Sequence, residues 1–508
     1  MVSRIACVGG GPGGLFFATL IKQADPSVEV TVFERNRPED TFGFGVVFSD
    51  ATLAAIHQAD PVLRTALAEH GRHWDDIEVR LKGQRIRCGG NGMAAITRRT
   101  LLHLLHRRAA EVGVELRFSH EVPADPEQLA DYDLIVAADG ANSRFRDRLA
   151  DILVPEVEVA TAKFIWFGTN YLFDGLTFVH EHAPHGTFAV HGYPISDSVS
   201  TFIVETDEES WRRAGLDDFD TAQPPGPSDE KTRHYLEKLF AEQIDGHELL
   251  VNNSRWGNFR TRRTHRWHSG NLVLLGDAAH TAHFSVGSGT KMAMEDAIAL
   301  ADSLLAHRDD LPSALEAYEA ARRPSVEKIQ ASARPSLSWW EHFGRYHDAF
   351  RPTQFAFHFI SRSIGKERIA RRDPEFVERV VRDWRATHGG RDPLDTPLRA
   401  GEREFGGRWV SPEDLSGPES GCLWLTAPDT EAQLTEIFEQ LARAVNGTTP
   451  PALVAVQDGT PLTRSLLAEQ ARLVHGVPAL IVEDGMDDDR AETLLLSGRA
   501  DLVGRERA

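Results

Sequence analysis

Three groups of glycines and acids stand at the ends of apolar runs. Gly9-Gly-Gly-Pro-Gly-Gly14 follows Ile5 to Val8, and a second apolar run ends at Glu34. Asp139-Gly140 follows Leu134 to Ala138, and Gly276-Asp277 follows Asn271 to Leu275. In the first group Gly9, Gly11 and Gly14 have the G-x-G-x-x-G spacing. Gly9 suits a tight turn, Gly11 a close backbone approach to pyrophosphate, and Gly14 close helix–strand packing. Free N–H groups at the start of the following helix attract phosphate. Glu34, about twenty residues beyond the glycines, can accept hydrogen bonds from ribose hydroxyls. Strand, turn, helix, strand and acid in that order predict a dinucleotide site, and leave open which dinucleotide.

Other residues bring different chemistry. Phe42 to Asp50 alternates aromatics with glycines, which suits either a flat apolar site or a buried strand; Phe44, Val47 and Phe48 are its candidate substrate residues. Arg98 falls in a first helical turn, where a cation opposes the helix dipole, so it is either solvated or paired with phosphate. His191 and Tyr193, two apart on a strand, share one face. They are either a partly buried polar pair or, with His283, candidate proton acceptors. Arg260 to Arg266 is a basic cluster in an acidic chain; it reads as a solvated loop, or as residues that meet an anionic substrate.

The elements that must position these residues follow from periodicity. Thr97 is a candidate N-cap for a helix burying Leu101, Leu104 and Leu105. Leu134 to Ala138 is wholly apolar, as a buried parallel strand is. From about 155 to 255, short β-branched and aromatic runs predict an inserted antiparallel sheet. Residues 311–345 are helical, with Pro324 at a helix start or a kink. The tail alternates strand-like and helical runs. The predicted fold class is α/β: a Rossmann-like domain from 1–155 and 256–345, a β-sheet substrate domain at 156–255, a helical segment at 346–390 and a small α/β domain at 391–508.

Composition bounds the function. The chain has 508 residues, 41% of them hydrophobic and 26% charged, and a formal net charge of −20. That charge argues against nucleic-acid binding, and no run is long enough for a membrane span. Cys7, Cys88 and Cys422 lie far apart with no metal spacing, which reads as a reduced, cytoplasmic protein without a metal.

Taken together, the three loops resemble the single-component FAD-dependent aromatic hydroxylases related to p-hydroxybenzoate hydroxylase, over about residues 3–380. The resemblance implies FAD as the bound dinucleotide and NADH or NADPH as reductant. It implies that Gly9, Gly11, Pro12, Gly13, Gly14, Glu34 and Arg35 hold the adenosine end. By the same resemblance Arg98 lies by the pyrophosphate, and Asp139 and Gly140 serve the cofactor and the nicotinamide. Gly276 and Asp277 then take the flavin-side ribose, and the helix start Gly289, Thr290, Lys291 and Met292 points at the flavin.

The stretch Thr281-Ala-His-Phe-Ser lacks the family's usual prolines. With Phe164-Ile-Trp-Phe-Gly168 and Arg372-Asp-Pro374 it is similar to a narrower branch. That branch includes salicyloyl-CoA 5-hydroxylase, the monooxygenase half of anthraniloyl-CoA monooxygenase and, more distantly, hydroxylases of violacein synthesis. Residues 476–505 resemble the last strands of an old-yellow-enzyme barrel, too short here for the whole fold. The implied activity is hydroxylation of an aromatic acyl-CoA, salicyloyl-CoA at position 5, with NAD(P)H and O2 through a flavin C4a-hydroperoxide. Arg260 and Arg262 would meet the CoA phosphates, in a monomer or homodimer. The alternatives are a hydroxylase of a free aromatic or indole-type metabolite, and a non-catalytic flavin-binding protein.

Overall fold

The computed structural model describes residues 2–41, 43–50, 53–220, 226–417 and 420–505. Phe42 lies outside them. The chain divides into two compact units, residues 1–78 with 91–341, and residues 79–90 with 342–508.

The first unit is built on a six-stranded sheet. Arg4–Val8 pairs in parallel with Glu29–Phe33 on one side and Leu134–Ala137 on the other. Glu115–Arg117 and Leu272–Leu274 extend it outward, also parallel, and His268–Ser269 adds an antiparallel edge. Chain order therefore reverses between Arg4–Val8 and Leu134–Ala137. In open α/β sheets ligands bind outside the strand carboxyl ends at such a reversal, and all three loops leave those ends. Pro12 begins the helix Pro12–Ala24 at a position where its missing N–H costs nothing. The helix buries Leu15, Phe16, Phe17 and Ile21 in the main core.

The β insertion is antiparallel. Pro155–Thr169 pairs with Ser200–Thr206, which pairs with Gly186–Pro194, which pairs with Leu176–Ala183. Period two separates its faces. Ile165, Phe167, Phe188, Val190, Phe202 and Val204 form one core with Leu236 and Trp256. The alternate residues Phe164, Trp166, Phe178, His191 and Tyr193 line a cavity. The basic cluster is not a loop: Gly257–Thr264 is a strand paired with Pro155–Phe164. Its threonines explain the correction, since Thr261 and Thr264 are buried while Arg260 stays exposed. Thr97 caps Arg98–Glu111 as expected, accepting the Thr100 N–H at 3.0 Å. The helix Leu311–Ala349 continues through Pro324.

In the second unit, Cys422–Thr426, Leu453–Gln457, Ala479–Val482 and Leu502–Gly504 form a parallel sheet in chain order. Ile77–Leu81 and Gln84–Cys88 form a hairpin turned at Lys82-Gly83, both with positive φ. A buried polar cluster centres on Glu469, which accepts from Tyr346 Oη at 2.5 Å and Arg345 Nη2 at 3.0 Å and lies 3.0 Å from His358 Nε2. Among the described residues, no helix is long and apolar enough to cross a membrane.

Candidate active site

The glycine loop is constrained by protein in three places and by none in a fourth. Gly9 has φ +115°, and a Cβ there would overlap the Ala138 carbonyl. A Cβ on Gly14 would overlap the Gly9 carbonyl, and one on Gly13 would sit 2.6 Å from Leu275 Cδ2. A Cβ on Gly11 would meet no protein atom within 4 Å. Gly11 therefore faces open space, where a ligand can approach its backbone. Glu34 is held by the loop itself: Oε2 accepts from Gly10 N at 2.8 Å, and Oε1 from Asn36 N at 2.8 Å. Beneath the loop, burial pushes the Cys7 thiol up to about 12, so it remains a neutral packing group.

Asp139 sits across from this loop. Its Oδ2 accepts from Arg144 N at 2.9 Å, while its Oδ1 is buried with no hydrogen-bond partner among the described residues. Burial raises its pKa, against hydrogen bonds from Ser143 and Arg144. An unpartnered buried oxygen is costly and marks where a ligand donor fits. Gly9, Gly11, Glu34, Arg35, Asp139 and Gly140 line one opening of about 210 Å³. Asn142 lines both this opening and the larger cavity.

That cavity, of about 750 Å³, begins at Arg98, Asp277, Gly289 and Thr290. Arg98 has no ion-pair partner among the described residues, although its charge is felt at Asp277 and Tyr193. Asp277 lines the cavity and is exposed, yet desolvation by the protein packed around it raises its pKa despite His280, Arg98 and Arg262. Ser288 precedes the helix Gly289–Ala306 without capping it, and its Oγ is buried with no hydrogen-bond partner among the described residues. The uncapped N–H groups present a partial positive charge to the cavity. Lys291 does not join them; it pairs with Glu295 one turn on. Met292 is 1% exposed, packed with Ala282 and Ala333.

The loop from Gly276 to His280 hangs on a residue that the sequence reading missed. Asp296, fully buried, accepts from Gly276 N at 3.1 Å and Arg322 Nε at 2.8 Å, and lies 2.8 Å from His280 Nε2. Burial alone would raise its pKa, but His280 and Arg322 outweigh it and the net shift is downward. In the stretch that lacks the family's prolines, Thr281 pins its loop to the strand Gly257–Thr264: it donates to the Arg260 carbonyl at 2.7 Å and accepts from Arg262 N at 2.8 Å.

The far walls are aromatic. Phe284 lies centrally, with ring centroids 5.1 Å from Phe164, 5.8 Å from Trp166 and 5.7 Å from His191. The three proposed proton acceptors separate here. His191 lines the cavity, its ring tilted against Trp340 at 4.3 Å between centroids, with Nε2 2.9 Å from Glu205 Oε1. Tyr193 also lines it, but burial pushes its hydroxyl up to about 12, too high for a base at neutral pH. His283 does not line it; its ring is buried, with Nδ1 2.7 Å from Ser285 Oγ, where it caps a turn.

Of the substrate candidates, Val47, Arg260 and Arg262 line the cavity. Phe44 covers Gly168 instead, and Phe48 is in the main core. Arg262 is buried, donates to Asn142 Oδ1 at 3.2 Å, and has its pKa lowered by desolvation and by Arg146. Among the described residues, Arg98, Lys163, Arg260 and Arg262 line the cavity with one carboxylate, Asp277, while Glu208 stands 3.8 Å from Lys163. The cavity is thus locally positive in a chain of net charge −20, and it suits an anion.

Glu34, open Gly11 and the Asp139 oxygen line one opening, the uncapped helix lines the other, and Asn142 lines both. Donors and acceptors of this kind fit a dinucleotide. The FAD binding domain family matches residues 3–333. The chain is 60% identical to salicyloyl-CoA 5-hydroxylase of a Streptomyces species, over 99% of both chains. It is 40% identical to 3-hydroxy-4-methyl-anthranilyl-[aryl-carrier protein] 5-monooxygenase of Streptosporangium sibiricum, over 66% of this chain and 89% of that protein. The structure of p-nitrophenol 4-monooxygenase from Pseudomonas putida shares the fold, with a TM-score of 0.56 at 17% identity, over 75% of this chain and 97% of that one. The chain belongs to the FAD-dependent aromatic monooxygenases, flavoenzymes that take NAD(P)H as reductant.

Proposed function

We propose that the protein hydroxylates an aromatic ring carried as a CoA thioester, with salicyloyl-CoA converted at position 5. The observation that carries this reading is the 60% identity to the Streptomyces enzyme over essentially the whole of both chains. The aromatic-walled, locally positive cavity supports it, since the substrate is a flat ring on a polyanionic carrier.

Bound FAD supplies the activation of O2 once NAD(P)H has reduced it; the protein supplies orientation, dryness and charge. In this reading Gly9, Gly11, Pro12, Gly13, Gly14, Glu34 and Arg35 hold the adenosine ribose and pyrophosphate. Arg98, Asp139, Gly140, Gly276 and Asp277 hold the middle of the cofactor. The N–H groups at Gly289 and Thr290 stabilise negative charge at the ring edge. Lys291 and Met292 contribute helix backbone only. Phe164, Trp166 and Phe284 orient the substrate ring, while Arg260 and Arg262 face its anionic carrier. A hydroxyl ortho to the thioester directs reaction to the para carbon, which is position 5. A free phenol ionises near ~10, so His191 is assigned to take its proton.

We assign 1–155 with 256–345 to FAD binding, the sheet at 156–255 to the substrate, and 346–390 and 391–508 to a helical segment and a small α/β tail. The tail is assigned as a shortened old-yellow-enzyme barrel without FMN. Its parallel strands in unbroken chain order support this, as consecutive strands of a barrel run that way. FMN bound stoichiometrically beside FAD would refute it.

The test is NADH and NADPH oxidation by purified holoenzyme, with salicylate, salicyloyl-CoA and anthraniloyl-CoA compared and hydroxylated product quantified. Salicyloyl-CoA is expected to stimulate oxidation and yield the 5-hydroxy product. Turnover of free salicylate but not of its thioester sinks the CoA assignment.

A further inference from the structure

The strand register places a carboxylate directly behind His191. Phe178, His191, Ile203 and Trp166 form one cross-strand row, and all four line the cavity. The next row on the same face is His180, Ala189, Glu205 and Phe164. Glu205 is thus the diagonal neighbour of His191, a separation that long side chains span. Its Oε1 lies 2.9 Å from His191 Nε2.

Glu205 is 1% exposed and does not line the cavity; His191 does. A carboxylate so deeply buried costs free energy unless a cation or donors meet it. The opposite face of these strands shows that the sheet packs well with apolar residues alone, as at Val190 and Val204. Among the described residues, titratable groups near the His191 ring include Tyr193 on its own strand, His180 on the neighbouring strand and, beyond Phe284, His283. Tyr193 stacks on Trp74 and His283 bonds Ser285, so neither is placed to do what a cavity-lining imidazole backed by a carboxylate does.

We infer that Glu205 is a positioning residue: it orients the His191 imidazole and stabilises the imidazolium formed when His191 takes the proton of the substrate's ring hydroxyl. The O–H bond breaks and an N–H bond forms on the ring of His191. The electron pair stays on the substrate oxygen and raises electron density at the para carbon. His191 is the catalytic residue of the pair, and Glu205 acts through it. The inference rests on the aryl-thioester reading above and extends it to a residue outside the cavity.

The experiment is an ultraviolet difference titration of salicyloyl-CoA bound to oxidised holoenzyme, beside steady-state kinetics. Glu205→Gln is expected to raise the pH at which the bound hydroxyl ionises and to lower kcat about tenfold, with KM little changed. His191→Asn is expected to do the same more strongly, about 100-fold in kcat. Glu205→Asp, which keeps the charge, is expected to restore part of both signals. Adding Glu205→Gln to His191→Asn is expected to cost little more. A flavin-loaded Glu205→Gln enzyme with an unshifted titration and normal kcat overturns the proposal. Should that variant fail to fold, wild-type ionisation and turnover in His191→Asn overturn it equally. A wild-type enzyme that hydroxylates no aryl thioester at all defeats the substrate reading, which is a separate result from an unshifted titration.

Discussion

The two ends of the site recognise by different means. At the glycine loop the chain offers backbone: Gly9, Gly13 and Gly14 are small because protein atoms crowd them, and Gly11 because none do. At the sheet wall it offers side chains, with Phe178, His191, Ile203 and Trp166 each from a different strand. In the proposed reading the first end binds a group common to many enzymes, through backbone that protein atoms crowd. The second would select a ring, and it is assembled from residues far apart in the chain. Between them stands the Gly276–His280 loop, whose backbone is held by one buried side chain, Asp296.

The largest effect should follow from breaking that link. Asp296→Ala takes one of two carboxylates from Arg322, leaves Gly276 N without its acceptor and removes the carboxylate beside His280. Removing one partner of a buried pair costs about 3–5 kcal/mol, measured by denaturant unfolding of the holoenzyme. The pH dependence has a definite sign. The folded pKa of Asp296 lies below its unfolded value, so its stabilisation is complete above the ordinary carboxylate range. It is lost as pH falls through the lowered folded value. The Asp296→Ala enzyme should therefore show a flatter loss of stability on acidification than wild type.

Two glycine variants sharpen the contrast within the loop. Gly14→Ala pushes a methyl into the Gly9 carbonyl, an overpacking that costs about 1–3 kcal/mol and should deplete bound flavin as well. Gly11→Ala meets no protein atom, and Gly11 has ordinary extended backbone at φ −78°. Stability of the flavin-stripped protein should then stay within about 0.5 kcal/mol of wild type, while flavin retention on gel filtration falls. Equal destabilisation of both stripped variants would show that Gly11 is also a packing glycine.

Much of the backbone end was legible from the chain alone because its requirements are local. Turn, helix start and acid follow one another within residues 5–34, and each leaves a mark in residue type. The parallel sheet and its β insertion followed similarly from apolar runs and period two. The side-chain end was legible only in part. His191 and Tyr193 could be placed on one face of one strand, but nothing local says that Glu205 is diagonal to His191, or that Phe284 lies centrally among the rings. Asp296 sits mid-helix among small apolar residues, and its partners His280 and Arg322 are 16 and 26 positions away. A charged residue in the buried stripe of a helix was the available signal. Phe48 misled because an aromatic beside glycines reads the same whether it faces a ligand or the core.

The smallest effect tests how far a motif can be read residue by residue. Lys291 belongs to the helix start that the resemblance assigns to the flavin, and a lysine there invites a direct role. Its ammonium instead pairs with Glu295, four positions along the same helix, and Glu295 is also held by Arg322 Nη2 at 3.0 Å. An i,i+4 pair of this kind contributes about 0.2–0.5 kcal/mol, and Arg322 remains to neutralise Glu295 when Lys291 is removed. Lys291→Ala should therefore lower stability by no more than that amount and leave the visible flavin spectrum unchanged. The attraction for the flavin ring edge at this end then comes from backbone N–H groups, which alanine keeps. A marked loss of flavin in Lys291→Ala would place a side-chain charge at the ring edge, and the backbone style of recognition would be confined to the glycine loop.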